Sequence, residues 1–402
     1  MGSEYLHLCL RARARRGKPF GMTVIEALRL TRQPARAFAI IGLFWGAFAA
    51  HMPVFKARLG VDDGQFGLLL LGTSFGLLSA MWLAPRLDRA LGDRGLPLAA
   101  LSFAAVFVAP ALAGGPAVFF AALVVLGVAS GLTDVVMNAR VSELEGATGA
   151  PLMNANHGVF SAAYALSAMA SGVARETGVG PVAVFAALSI LCIPLALTAR
   201  PAVAATAQTG RRVSGAALMP VVLCGAVVLI AFMTEATVEA WSALHVERTL
   251  GGRAAQGAAG PAVLGLTMAV GRFSGQAVTA RFSEVFVVRA GTVLAISGIA
   301  LVALAPVPAM AYLGFAAVGL GVSVIGPIGL GLTGRLVPAS LRTQAIARVA
   351  VIGFAGFFIA PVIMGQLSDG FGLRAGFALF GVVLVAIFPL IAAIGRLPED
   401  PG

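Results

Sequence analysis

Apolar residues run in long blocks along this chain, and polar residues gather in the short gaps between them. Read at the roughly 20 residues that an α-helix needs to cross hydrocarbon, the blocks predict spans at 37–57, 66–84, 95–113, 116–139, 152–174 and 180–199. A polar linker follows at 200–216, with Arg200, Arg211 and Arg212. The pattern then repeats at 217–245, 258–280, 286–306, 309–336, 344–367 and 375–395. Residues 1–36 and 396–402 read as tails. The expected fold is an all-α membrane protein: twelve transmembrane helices in two six-helix bundles, 37–199 and 217–395, related by duplication.

One stretch departs from this plainness. Ala231–His245 continues the apolar run Leu218–Ile230 without a break, yet it carries Glu235 and Glu239. Four residues apart, the two acids stack on one helix face, which Ser242 continues. Charged carboxylates at membrane depth cost about 2.5–3.5 kcal/mol each on insertion scales. A spanning helix keeps them when they face a wet cavity, a partner or a proton.

Composition supports the membrane reading. Of 402 residues 59% are hydrophobic and 11% charged, with mean hydropathy +0.95, against about 25% charged in soluble domains. Fifty glycines suit close helix packing in lipid. The net charge of +11 follows topology rather than nucleic acid. With the N-terminus inside, only Lys56, Arg58, Arg175, Arg248, Arg253 and Arg374 of the 28 Lys and Arg fall outside. That asymmetry predicts both termini in the cytoplasm. Arg15–Arg16 is a weak twin-arginine echo without a cleavage site, and Met22 is a plausible alternative start. Cys9, Cys192 and Cys224 have neither disulfide nor metal-ligand spacing. No phosphate loop, nucleophile elbow or metal cluster appears, so neither an enzyme nor a cofactor is expected.

The chain resembles the major facilitator superfamily over essentially its whole length. The loop APRLDRALGDRG resembles that superfamily's acid-and-arginine loop at Asp88, Arg89, Gly92 and Arg94, with one extra residue between Asp88 and Gly92. GRFSGQAVTARFSE, its counterpart in the second half, keeps Gly275 and Arg281 but lacks the acid. Four stretches are similar to the fucose permease-like proton–sugar symporters, and in part to an uncharacterised bacterial branch of that group. These are GLTDVVMN at Asp134 and Asn138, EATVEAW at Glu235 and Trp241, the mid-helix Pro327, and APVIMGQLSDGFG at Pro361, Met364, Gly365, Ser368 and Asp369. Where those symporters place an acid on the first span, this chain offers His51.

Asp134 and Asn138 share a face of the fourth predicted span; Asn154, His157 and Ser161 share a face of the fifth. The resemblance puts Asp134 at the family's coupling acid and His157 at a sugar contact. A carboxyl group out of water holds its proton more readily and can trade it. The expected proton-coupling residues are Asp134 and Glu235. The expected solute contacts are Asn138, His157, Glu239, Trp241, Trp45 and His51. Arg272 is expected to snorkel or to latch the halves. The first reading is a monomeric inner-membrane symporter of protons and a small polar solute, sugar or sugar-like, working by alternating access. A proton-driven exporter of drugs or metabolites, and a non-transporting membrane sensor, remain open alternatives.

Overall fold

The computed structural model describes residues 22–199, 218–338 and 341–397, and everything it describes is helix, turn or connecting segment. The basic stretch at 11–18, the whole linker 200–216 and the end of the C-terminal tail lie outside the described residues. Fourteen α-helices are described. Before the linker come α1 (Val24–Leu30), α2 (Arg32–Leu59), α3 (Asp63–Leu91), α4 (Gly95–Val106), α5 (Ala109–Leu112), α6 (Pro116–Thr148), α7 (Met153–Glu176) and α8 (Pro181–Leu197). After it come α9 (Leu218–Leu244), α10 (Ala254–Thr279), α11 (Glu284–Leu304), α12 (Pro308–Arg335), α13 (Arg342–Val385) and α14 (Ile387–Ile394).

The boundaries follow from caps. The side chain of Asp62 accepts from Gln65 N at 2.6 Å and opens α3. Gly60, at φ 63°, closes α2 in a conformation that a side chain would disfavour. Prolines at 116, 181 and 308 occupy first-turn positions, where a missing N–H costs nothing. Residues 24–36, expected within a tail, are largely helical. Thr23 and Glu26 cap each other's backbone at the start of α1, and Leu30 is buried.

Among the described residues, seven stretches are long and apolar enough to cross a membrane. Two of them, Asp63–Leu112 and Gln344–Ile394, are each about 50 residues long and broken inside. The first breaks at the 3-10 turn Gly92–Arg94, the second at Gly372, whose φ of 80° is not helical. α8 is apolar but, at 17 residues, shorter than these stretches. α7 and α10 are long enough but carry polar side chains, and they pack on each other. Large apolar side chains such as Trp82, Leu166, Ile190, Leu313 and Val382 stand exposed around the outside, as a bilayer-facing surface requires.

Inside each half, glycines let backbones approach. A Cβ on Gly127 of α6 would collide with the Thr73 backbone of α3, and one on Gly46 of α2 with that of Tyr164 of α7. The halves meet along two seams, α7 against α10 and α3 against α13, with α9 lying beside α2. At Gly67 and Gly365 the backbones of α3 and α13 touch, so Gly365 and Pro361 of the sequence signature serve the seam.

Ion pairs crossing between the halves cluster at the end where α3 begins. Arg248 reaches Asp63 at 2.5 Å, and Asp63 also holds Lys56 at 2.9 Å. Arg175 grips Glu247 through both nitrogens, at 2.8 and 2.9 Å, and donates to the Ala50 carbonyl. Glu176 takes Arg253 and the N–H of Ala255. At the opposite end the described pairs stay within a half: Arg140 with Asp88 and Glu143, and Arg335 with Glu284. The Asp63 end is therefore latched in this conformation.

Overpacking a close helix crossing costs about 1–3 kcal/mol. Gly127→Leu should lower the thermal midpoint of the purified protein by several degrees. Gly146→Leu, on the same helix with open space around it, should leave the midpoint nearly unchanged. Equal effects would show that the α3–α6 approach does not depend on glycine.

Candidate transport site

Acids on α9 are held over the seam between the halves by the way α9 packs. It lies against α13, α12, α10 and α2 at once, so a face that would meet lipid on an outer helix is interior here. Glu235 is 5% exposed. Its Oε1 takes Arg272 Nη2 from α10 at 3.1 Å. The other terminal nitrogen of Arg272 donates to Ser161 Oγ on α7 at 2.5 Å. One guanidinium thus ties both halves of the chain, with its charge compensated by a carboxylate on its own half.

Three further groups surround this tie. His157 lies a turn before Ser161 on α7, within the field of Arg272, and its ring meets Phe38 edge-on with centroids 5.0 Å apart. Glu239 lies a turn beyond Glu235. Tyr164 lies a turn beyond Ser161 and stands within reach of both glutamate charges. Glu235, Glu239 and His157 were expected here, and the structure brings them together. Arg272, expected to snorkel or to latch the halves, and Tyr164 were not expected as site residues. Arg272 is 10% exposed and ion-paired and bonds Ser161 of the first half, so of the two expectations the latch is the one seen: a guanidinium with a buried partner does not need to reach water. Its signal in the sequence was a lone cation inside an otherwise apolar helix. Tyr164, one of three tyrosines, carries no sequence signal of its own.

Other expected residues stand apart. Asp134 and Asn138 on α6 bond each other, Asn138 Nδ2 to Asp134 Oδ1 at 3.1 Å, as the four-residue spacing implied. Among the described residues no bond links Asp134 to His157, because α6 and α7 make only slight contact. Trp45 donates to Ser130 at 3.3 Å, half-buried in the first half. Trp241 is fully buried against Phe66 of α3, which places its ring in the packing between the halves rather than on a cavity wall. His51 is likewise fully buried, with Nδ1 on the Ala47 carbonyl at 2.7 Å and its ring against Phe185. Asp88 pairs with Arg140 at 2.6 Å, a partner from α6 that the loop pattern did not name; Arg89 and Arg94 are exposed. Among the described residues no group of His, Cys, Asp and Glu has metal-holding geometry.

The chain is similar to known membrane transporters. A family model described as Major Facilitator Superfamily matches residues 223–402, somewhat under half of the chain. An uncharacterised MFS-type transporter of Yersinia pestis is 29% identical over 90% of this chain and 94% of its own length. Membrane protein MosC of Rhizobium meliloti is 26% identical over 89% of this chain and 88% of its own. Among solved structures, a bacterial homologue of the lysosomal transporter Spinster, inward-facing and occupied, superposes with TM-score 0.72 at 15% identity. That match covers 93% of this chain and 98% of the other. A D-xylose–proton symporter gives 0.70 at 14% identity, over 94% and 99%. At such identities the structural likeness carries the fold alone.

Removing one partner of a buried ion pair leaves the other charge stranded, at about 3–5 kcal/mol. Arg272→Gln should therefore destabilise the transporter markedly. Adding Glu235→Gln in the same chain should recover most of the loss. A double variant as unstable as the sum of the singles, by thermal unfolding, would mean that the two side chains are not coupled.

Proposed function

We propose that this transporter moves a small polar solute together with protons, by rocking of two six-helix bundles about the seam. The twelve crossings are α2, α3, α4 with α5, α6, α7, α8, α9, α10, α11, α12 and the two parts of α13 divided at Gly372, the second continuing into α14. The termini and the Asp88 end face the cytoplasm of a bacterial inner membrane, and the Asp63 end faces outward. Charge asymmetry along the sequence supports this orientation. The protein acts as a monomer.

The observation that carries the reading is the triad of Glu235, Glu239 and Arg272 at the seam, in which Glu235 is buried and the other two half-buried. Two acids and one cation out of water form a set whose charge one proton changes from unbalanced to neutral. A proton on Glu235 weakens its hold on Arg272, which frees the guanidinium that reaches across to Ser161. The halves are then tied less tightly at mid-depth, and the proton and the rearrangement are linked. Asp134, set in α6 and held only by its own helix, supplies a second protonatable group in the first bundle. Sugar-like solutes suit the resemblance to the proton–sugar symporters. Alternating access requires a second state with the Asp63 end open, and the cross-half ion pairs there are the contacts that would part.

In proteoliposomes, Asp134→Asn should abolish uptake driven by a pH gradient while leaving solute exchange without a gradient largely intact. Wild-type driven uptake in that variant would remove Asp134 from the mechanism.

A further inference from the structure

The polar groups at the seam fall into two layers. In the first, Ser161, Arg272 and Glu235 satisfy one another. In the second, Tyr164 lies three residues beyond Ser161 on α7, and Glu239 four residues beyond Glu235 on α9. Both helices run toward the Asp63 end, so at about 1.5 Å per residue the second layer lies roughly 5–6 Å further along. Nothing in it is satisfied. The Tyr164 side chain is 2% exposed and its hydroxyl has no hydrogen-bond partner. Glu239 has no hydrogen bond or ion pair among the described residues, and the opposing charge of Arg272 is already taken by Glu235. The phenol stands within the fields of both glutamates. Its ring is fixed against Gly265 of α10, where even a Cβ would come within 2.7 Å of Cδ1.

A buried hydroxyl without a partner is uncommon in native interiors, and here a half-buried carboxyl group without a partner stands near it. The chemistry that meets both is specific. Against an ionised Glu239, a neutral hydroxyl leaves the charge uncompensated, and an anion makes it worse. An ammonium group compensates the charge, donates to the carboxylate and to the phenol oxygen, and finds an aromatic face beside it. We propose that Tyr164 and Glu239 are the solute-recognition layer, and that the solute carries a protonated amine. This rests on the transport reading above and assigns separate duties within it. Glu235 with Arg272 handles the proton, and Glu239 with Tyr164 handles the solute.

The test uses the full chain, purified in detergent, and matched pairs of small molecules that differ in one group. The pairs are glucosamine and glucose, 2-aminocyclohexanol and 1,2-cyclohexanediol, and 4-amino-1-butanol and 1,4-butanediol. Thermal stabilisation and calorimetric titration are read at a pH where the amines are charged. At least one amine should stabilise the wild type while its hydroxyl counterpart does not. Glu239→Gln should weaken that binding by more than about tenfold, the loss of a charge-assisted bond, and Tyr164→Phe by about fivefold. Unfolding without ligand shows whether each variant is folded. A folded Glu239→Gln protein that binds the amine as well as wild type overturns the proposal, as does hydroxyl compounds binding as well as their amines, or no amine binding at all. Proton-driven uptake of a hydroxyl compound that depends on Asp134 would overturn the amine while leaving proton-coupled transport standing.

Discussion

A positive charge buried between two halves of a membrane protein is tolerable only while a negative one stays beside it. Arg272 and Glu235 meet that condition at 3.1 Å, and Ser161 brings the opposite half into the same bond network. Much of the surrounding construction serves this contact. Glycines at the seam, Gly67 of α3, Gly365 of α13 and Gly265 of α10, bring the two halves into close contact. Many of the polar side chains that would cost free energy against lipid lie on α7, α9 and α10, which pack on one another or on the other half.

The contact is also a weak point by design of its chemistry. An ion pair in low dielectric depends steeply on the protonation of its acid, whereas packed apolar seams do not. A device that must hold and let go in turn gains from placing such a pair at its centre. The ion pairs at the Asp63 end are mixed. Arg248 is nearly half exposed, and Arg253 more so, so solvent competes for those two and each contributes little alone. Arg175 with Glu247 is bidentate and largely buried, so parting that pair is the larger cost of opening this end.

The sequence revealed the acids and their helical spacing most clearly. Glu235 and Glu239 stood out because charge in an apolar block is costly, and the Asp134–Asn138 bond followed from a spacing of four. The membrane class and the all-helical fold were equally readable, since long apolar blocks have few other solutions. What escaped was pairing between helices distant in the chain. Arg272 lies 37 residues from Glu235 and 111 from Ser161, and no local pattern states that these meet. Trp241 and His51 show the same limit from the other side. Each is chemically suited to a solute, and packing against Phe66 and Phe185 occupies them instead.

The central claim is that the acid paired with Arg272 gains and loses a proton as the halves move. Difference infrared spectroscopy between acid and alkaline conditions reads this directly, because a protonated carboxyl has a carbonyl stretch that the carboxylate lacks. The account predicts a carboxyl band that titrates in the wild type, disappears in Glu235→Gln, and persists in Glu284→Gln, whose acid pairs with Arg335 on one half. A titrating band unchanged by Glu235→Gln would contradict it.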